Sequence, residues 1–132
     1  MRKQGLPDKE SVAVLEKPVH AWKALYGRAK PFHKFLIELE IPVGATVVCG
    51  GRLDTLKYRA DRVKTISITK FVGRVVLCKK QNSLANCRDQ ERVLYRVGHF
   101  TKPVRRLDKG RWDARRSGIH FFRTKRAAMS WL

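Results

Sequence analysis

The stretch His33-Lys34-Phe35-Leu36-Ile37-Glu38-Leu39-Glu40-Ile41 decides the class of fold. Phe35, Ile37, Leu39 and Ile41 recur with a period of two, while Lys34, Glu38 and Glu40 take intervening positions. Successive side chains of an extended chain point to opposite faces, so this reads as a strand with one apolar and one charged face. Pro42 and Gly44 end it, because proline has no N–H for a ladder and glycine admits turn geometry.

The same alternation recurs further along the chain. Residues 46–49 form a second short β run before Gly50-Gly51, and residues 63–69 alternate β-branched side chains. Residues 72–78, broken only by Gly73 and Arg74, suit a buried strand. Residues 81–91 read as a polar loop. Val93, Tyr95 and Val97 then alternate with Arg92, Leu94 and Arg96. Residues 98–117 show little periodicity, and 119–122 form a short aromatic strand. A helix follows from Lys125 with Thr124 as its N-cap, and Ala127, Ala128, Trp131 and Leu132 make its apolar stripe.

Towards the N-terminus, Val12, Val14 and Leu15 suggest a short first element that Pro18 interrupts, and Trp22 and Leu25 supply large apolar anchors. Residues 1–10 are polar, carry Gly5 and Pro7, and read as an arm. The expectation is an α+β domain over residues 11–132: a small, mostly antiparallel sheet of about six short strands with a C-terminal helix. Phe35, Ile37, Leu39, Ile66, Ile68, Val93, Tyr95, Phe121 and Trp131 are its expected core. A chain of 132 residues is one domain's worth, and there are no internal repeats.

Charge sets the functional class. Thirty Lys and Arg face eleven Asp and Glu, a formal net charge of +19. Cations at that density repel one another, so the folded chain gains from an acidic partner, a polyanion or a carboxylate-rich protein surface. Solubility alone would be served by mixed charges with less self-repulsion. The cations concentrate between residues 102 and 126, where the only acids are Asp108 and Asp113. Lys102, Arg105, Arg106, Lys109, Arg111, Arg115 and Arg116 precede the aromatic strand, and Arg123, Lys125 and Arg126 follow it. Arginine suits phosphate and carboxylate because its planar fork donates two hydrogen bonds at once. Trp112, between the arginine pairs, either anchors an irregular loop or stacks on a base or an arginine. Lys125 and Arg126 stand in a first helical turn, where acids are the rule, and an anion bound there would explain them.

Other chemistry is thinly represented. Cys49, Cys78 and Cys87 lack the spacing of a disulfide framework or a zinc site, so three unpaired, metal-free thiols and a reducing interior are expected. The histidines His20, His33, His99 and His120 are scattered, and no phosphate-cradling loop or nucleophile motif is present. Glu38 and Glu40 suit salt bridges on an exposed strand face. His120 alternates with Ile119 and Phe121 and so takes the opposite face, either buried and hydrogen-bonded or functional. No apolar run is long enough for a signal peptide or a membrane span. No catalytic residue and no cofactor are expected.

Several stretches in order carry a resemblance: Trp22-Lys23-Ala24-Leu25, Leu39-Glu40-Ile41-Pro42, and Lys57-Tyr58-Arg59-Ala60-Asp61-Arg62-Val63-Lys64 running into Ile66-Ser67-Ile68. Tyr95-Arg96-Val97-Gly98, Arg111-Trp112 and Ser117-Gly118-Ile119-His120-Phe121-Phe122 complete them. From Trp22 onward the chain resembles an uncharacterised domain of phages and large DNA viruses, often appended to pentapeptide-repeat proteins. The Gly-Ile-His-Phe-Phe stretch before a helix is its most specific element. That family usually has cysteine where Tyr58 and Arg115 stand here, and acids where Lys125 and Arg126 stand. The resemblance implies no activity, but it implies a virion setting. The expected role is a non-enzymatic minor capsid protein of a large virus particle, bridging acidic coat subunits from inside. The alternative is a nucleic-acid-binding protein, whose same cations neutralise phosphates non-specifically.

Overall fold

A computed structural model describes residues 6, 11–26, 33–50, 57–72, 84, 86–88, 93–103 and 118–132. In chain order they form β1 (Ser11–Val14), β2 (Val19–Tyr26), β3 (His33–Ile41), β4 (Thr46–Gly50), β5 (Lys57–Ala60) and β6 (Val63–Val72). Then come β7 (Asn86–Arg88), β8 (Leu94–Arg96), β9 (Phe100–Thr101), β10 (Ile119–Phe121) and a single helix, α1 (Lys125–Trp131). The class is α+β and the pairing antiparallel, as the alternation implies. The strand count differs: the described residues hold ten strands in three sheets, not about six in one. Most of the extra strands are two to four residues long, too short for a period of two to register in the sequence.

The first sheet has the order β1-β4-β5-β10 and the second β2-β3-β6-β9, while β7 and β8 pair as a separate ribbon. Across the first sheet, Cys49, Tyr58 and Phe121 are register partners, as are Val47, Ala60 and Ile119. All six are buried and belong to one core with Ile37, Leu39, Ile41, Val63 and Ile68 of the second sheet. The core therefore lies between the inner faces of two sheets. Val93 and Tyr95 also enter it, as does Leu6, the one described residue of the first ten. Pro42 and Gly44 turn β3 towards β4, and Gly44 takes a φ of 85° that only glycine adopts freely.

β3 is flanked in the sheet by β2 and β6, and its second face is not purely charged because α1 covers part of it. Leu36 projects opposite Ile37 and, with Ala24 and Ala128 of α1, forms a second small core. Trp22, Phe71, Phe122, Met129 and Leu132 pack around that core. Thr124 caps α1 as expected, its Oγ1 accepting from the Ala127 N–H at 3.1 Å.

Two residues of the expected core lie elsewhere. In β6, Thr65 pairs with Leu39 and Ser67 with Glu38, so Ile66 is an extra residue in a bulge. The bulge switches which positions face inward: Val63 and Thr65 point in before it, Ile68 after it, and Ile66 is left on the outside. Trp131 is 54% exposed. A seven-residue helix is about 10 Å long, and Ala128 takes its place over the sheet. The indole instead lies against Tyr26 and Phe122, with ring centroids 5.6 and 6.5 Å away.

Residues 86–88, expected within a polar loop, form β7, in which Cys87 pairs with the buried Tyr95. Leu84 also has a partner, its N–H donating to the Ile68 carbonyl. Val97, expected to point inward with Tyr95, is exposed. The expected strand at 72–78 lies outside the described residues, except for Val72, which ends β6. No helix among the described residues is long and apolar enough to cross a membrane.

Candidate basic face

The basic segment leaves the second sheet at β9 and rejoins the first at β10. Lys102 follows β9 and is exposed, and Arg123, Lys125 and Arg126 are exposed around the start of α1. Arg105, Arg106, Lys109, Arg111, Trp112, Arg115 and Arg116 lie outside the described residues, and so does Cys78. The topology separates Lys102 from the other three. β9 and β2 are opposite edges of the second sheet, three strand spacings or about 14 Å apart, and α1 packs on β2.

Each cation near α1 has its own surroundings. The Lys125 ammonium lies 5.7 Å from the centroid of the Trp22 ring, a cation–π contact that offsets the cost of a cation beside the helix N-terminus. No acid stands in that turn. Arg123 reaches the Tyr58 hydroxyl. Burial pushes the Tyr58 phenol above its ordinary value, the Cys49 thiol adds to the shift, and Arg123 opposes it. Arg126 extends into solvent with no partner among the described residues.

The outer face of the second sheet carries a polar constellation that residue types alone do not reveal. Glu38 accepts a hydrogen bond from the Ser67 hydroxyl at 2.9 Å, and its other oxygen lies 2.6 Å from His20 Nε2. His20 in turn lies against Trp22, with centroids 4.8 Å apart. The sequence reading of Glu38 as a salt-bridge residue agrees with this contact. A serine, a histidine and a carboxylate are present, but the wiring is not that of an activated nucleophile. The carboxylate sits between the other two, so the Ser67 hydroxyl donates its hydrogen bond to Glu38 and not to an imidazole base. The arrangement ties β2, β3 and β6 together.

On the outer face of the first sheet, Val48, Arg59 and His120 are register partners across β4, β5 and β10. Alternation with Tyr58 would put Arg59 in solvent, yet it is only 2% exposed. His120 is half-buried, opposite Ile119 and Phe121 as its spacing implies, and its carbonyl accepts from Lys23 Nζ at 2.7 Å. Among the described residues no group of three or more His, Cys, Asp or Glu is placed to hold a metal ion.

A third feature had no signal in the sequence. Ile66, Val97 and Phe100, all exposed, lie along the stretch where β6 runs beside residues 97–101. The sequence model of a family described as being of unknown function, DUF5758, matches residues 6–128. No curated protein matches the chain, and no solved structure does.

Proposed function

We propose that this chain, which belongs to the family of unknown function DUF5758, is a non-enzymatic basic protein that adheres to acidic protein surfaces. Its setting is the inside of a large virus particle, where it serves as a minor capsid protein bridging acidic coat subunits. That setting rests on the sequence resemblance alone.

The observation that carries the proposal is the charge left over at the surface. The chain has a net charge of +19, and Lys102, Lys125 and Arg126 are exposed with no acidic partner among the described residues. Bringing carboxylates from another molecule to such a surface relieves the self-repulsion. The Ser67–Glu38–His20 wiring adds support, since it holds strands together and leaves the hydroxyl without an imidazole base.

Salt dependence separates this proposal from nucleic-acid binding. Binding to a folded protein of strongly acidic pI, to duplex DNA and to single-stranded RNA is measured from low to physiological salt. Nucleic-acid binding held only by phosphate contacts should be weak, with Kd on the order of 10⁻⁴–10⁻⁶ M, and should collapse as salt rises. Binding to the acidic protein should persist, because shape as well as charge holds the contact. Tight, sequence-selective nucleic-acid binding at about 150 mM salt would overturn the proposal in favour of the alternative.

A further inference from the structure

We infer that the outer face of β6 and β9 is a docking surface for a protein, with Phe100 and Ile66 as its apolar centre and Lys64, Arg96 and Lys102 as its cationic rim. The inference rests on the proposal that the partner is an acidic protein, and it adds where that protein sits and what it must present. Phe100 is 60% exposed, Ile66 40% and Val97 39%.

The three are neighbours by backbone pairing. Phe100 is the register partner of Lys64, two residues before Ile66, and Val97 bridges to Thr65 between them. The 96–101 segment is pinned here through the Gly98 N–H to Thr65 and the Thr65 N–H to His99. Ile66 follows the inward-facing Thr65 on the outside of the sheet and is the unmatched residue of β6 in the bulge. Bulges recur where a strand must re-aim a side chain, and this one adds an apolar group beside Phe100.

The rim fixes the partner's chemistry. The Lys64 ammonium lies 5.8 Å from the centroid of the Phe100 ring, and Arg96 and Lys102 are exposed on the same strand connection. The acids on this face among the described residues are Glu40, the cross-strand partner of Lys64, and Glu38, which is bound to Ser67 and His20. An aromatic centre inside a charged rim is the anatomy of a protein–protein contact. The complementary surface is an apolar projection ringed by carboxylates. A nucleic acid fits less well, because Ile66 and Val97 offer no plane for stacking and Lys64 lies over the Phe100 ring.

The test uses three fluorescent probes. They are a peptide with leucine and tryptophan at its centre and aspartates at both ends, the same peptide with a serine centre, and a single-stranded DNA. The apolar-centred peptide should bind the native protein about tenfold or more tighter than the serine-centred one. Phe100→Ser should abolish that difference while leaving binding of the other two probes unchanged. Ile66→Ser, also at an exposed position, is the second variant, with circular dichroism and thermal melting to show that each remains folded. A gain that survives both substitutions, or no gain at all, would overturn this docking surface while leaving the acidic-partner proposal standing. DNA binding more tightly than both peptides to the native protein would instead overturn the acidic-partner proposal.

Discussion

Trp22 and Phe122 exchange both of their backbone hydrogen bonds, at 2.9 and 2.6 Å, across a gap of one hundred positions in the chain. The pair joins the end of β10 to β2, so the two four-stranded sheets run on as β1-β4-β5-β10 and then β2-β3-β6-β9. Lys23 reinforces the junction through its hydrogen bond to the His120 carbonyl. The junction also decides where the helix goes, since only Arg123 and Thr124 separate Phe122 from α1. Phe121 therefore enters the core between the sheets, and Phe122 packs in the smaller core under the helix.

Phe121 and Trp131 should respond very differently to truncation. Phe121 is buried and stacked on Tyr58 at 5.5 Å, so Phe121→Ala should cost about 3–5 kcal/mol. Trp131→Ala should cost about 1 kcal/mol or less, because only its ring contacts are lost. Urea unfolding measures both; equal losses would contradict the placement of α1.

The bulge makes an equally sharp contrast two residues apart. Ile68 is fully buried, and Ile68→Ala should cost about 2–5 kcal/mol. Ile66→Ala should stay within about 1 kcal/mol of the parent. A reversed order in the same denaturation experiment would mean that β6 is not bulged at Ile66.

Alkaline stability should depend on Tyr58. Its folded-state pKa is raised above the ordinary value of 10.0, so the folded chain holds the phenolic proton more tightly than the unfolded one. The resulting stabilisation is fully present below pH 10 and is lost as pH rises through the folded pKa. Tyr58→Phe removes the titrating group, so its unfolding free energy should fall less steeply than the parent's on the alkaline side. Parallel pH profiles for the two proteins would rule this out.

The start of α1 offers a separation of stability from binding. Thr124→Ala should cost about 1 kcal/mol by removing the cap. Lys125→Glu gains a favourable charge at the helix start, about 0.3–1 kcal/mol, and loses a contact with Trp22 of similar size. Its melting temperature should hardly move, while its affinity for an acidic protein falls and that loss shrinks at high salt.

The sequence by itself determined whatever neighbouring residues encode. The period of two in His33–Ile41 specifies a strand, and Thr124 before the Ala127-Ala128 stripe specifies a capped helix, because both signals lie within a few residues. The net charge was legible in composition for the same reason: it needs no geometry. Pairing was not legible. That Ile66 is expelled by a bulge, that Leu36 faces a helix from the far end of the chain, and that Arg59 is buried beside His120 all depend on distant partners. The same holds for the surface where Phe100 meets Ile66 and Lys64, since residues more than thirty positions apart share it only once β9 has docked on β6. Local propensity fixes what a segment is, but burial is fixed by what covers it, and only the tertiary structure supplies the cover.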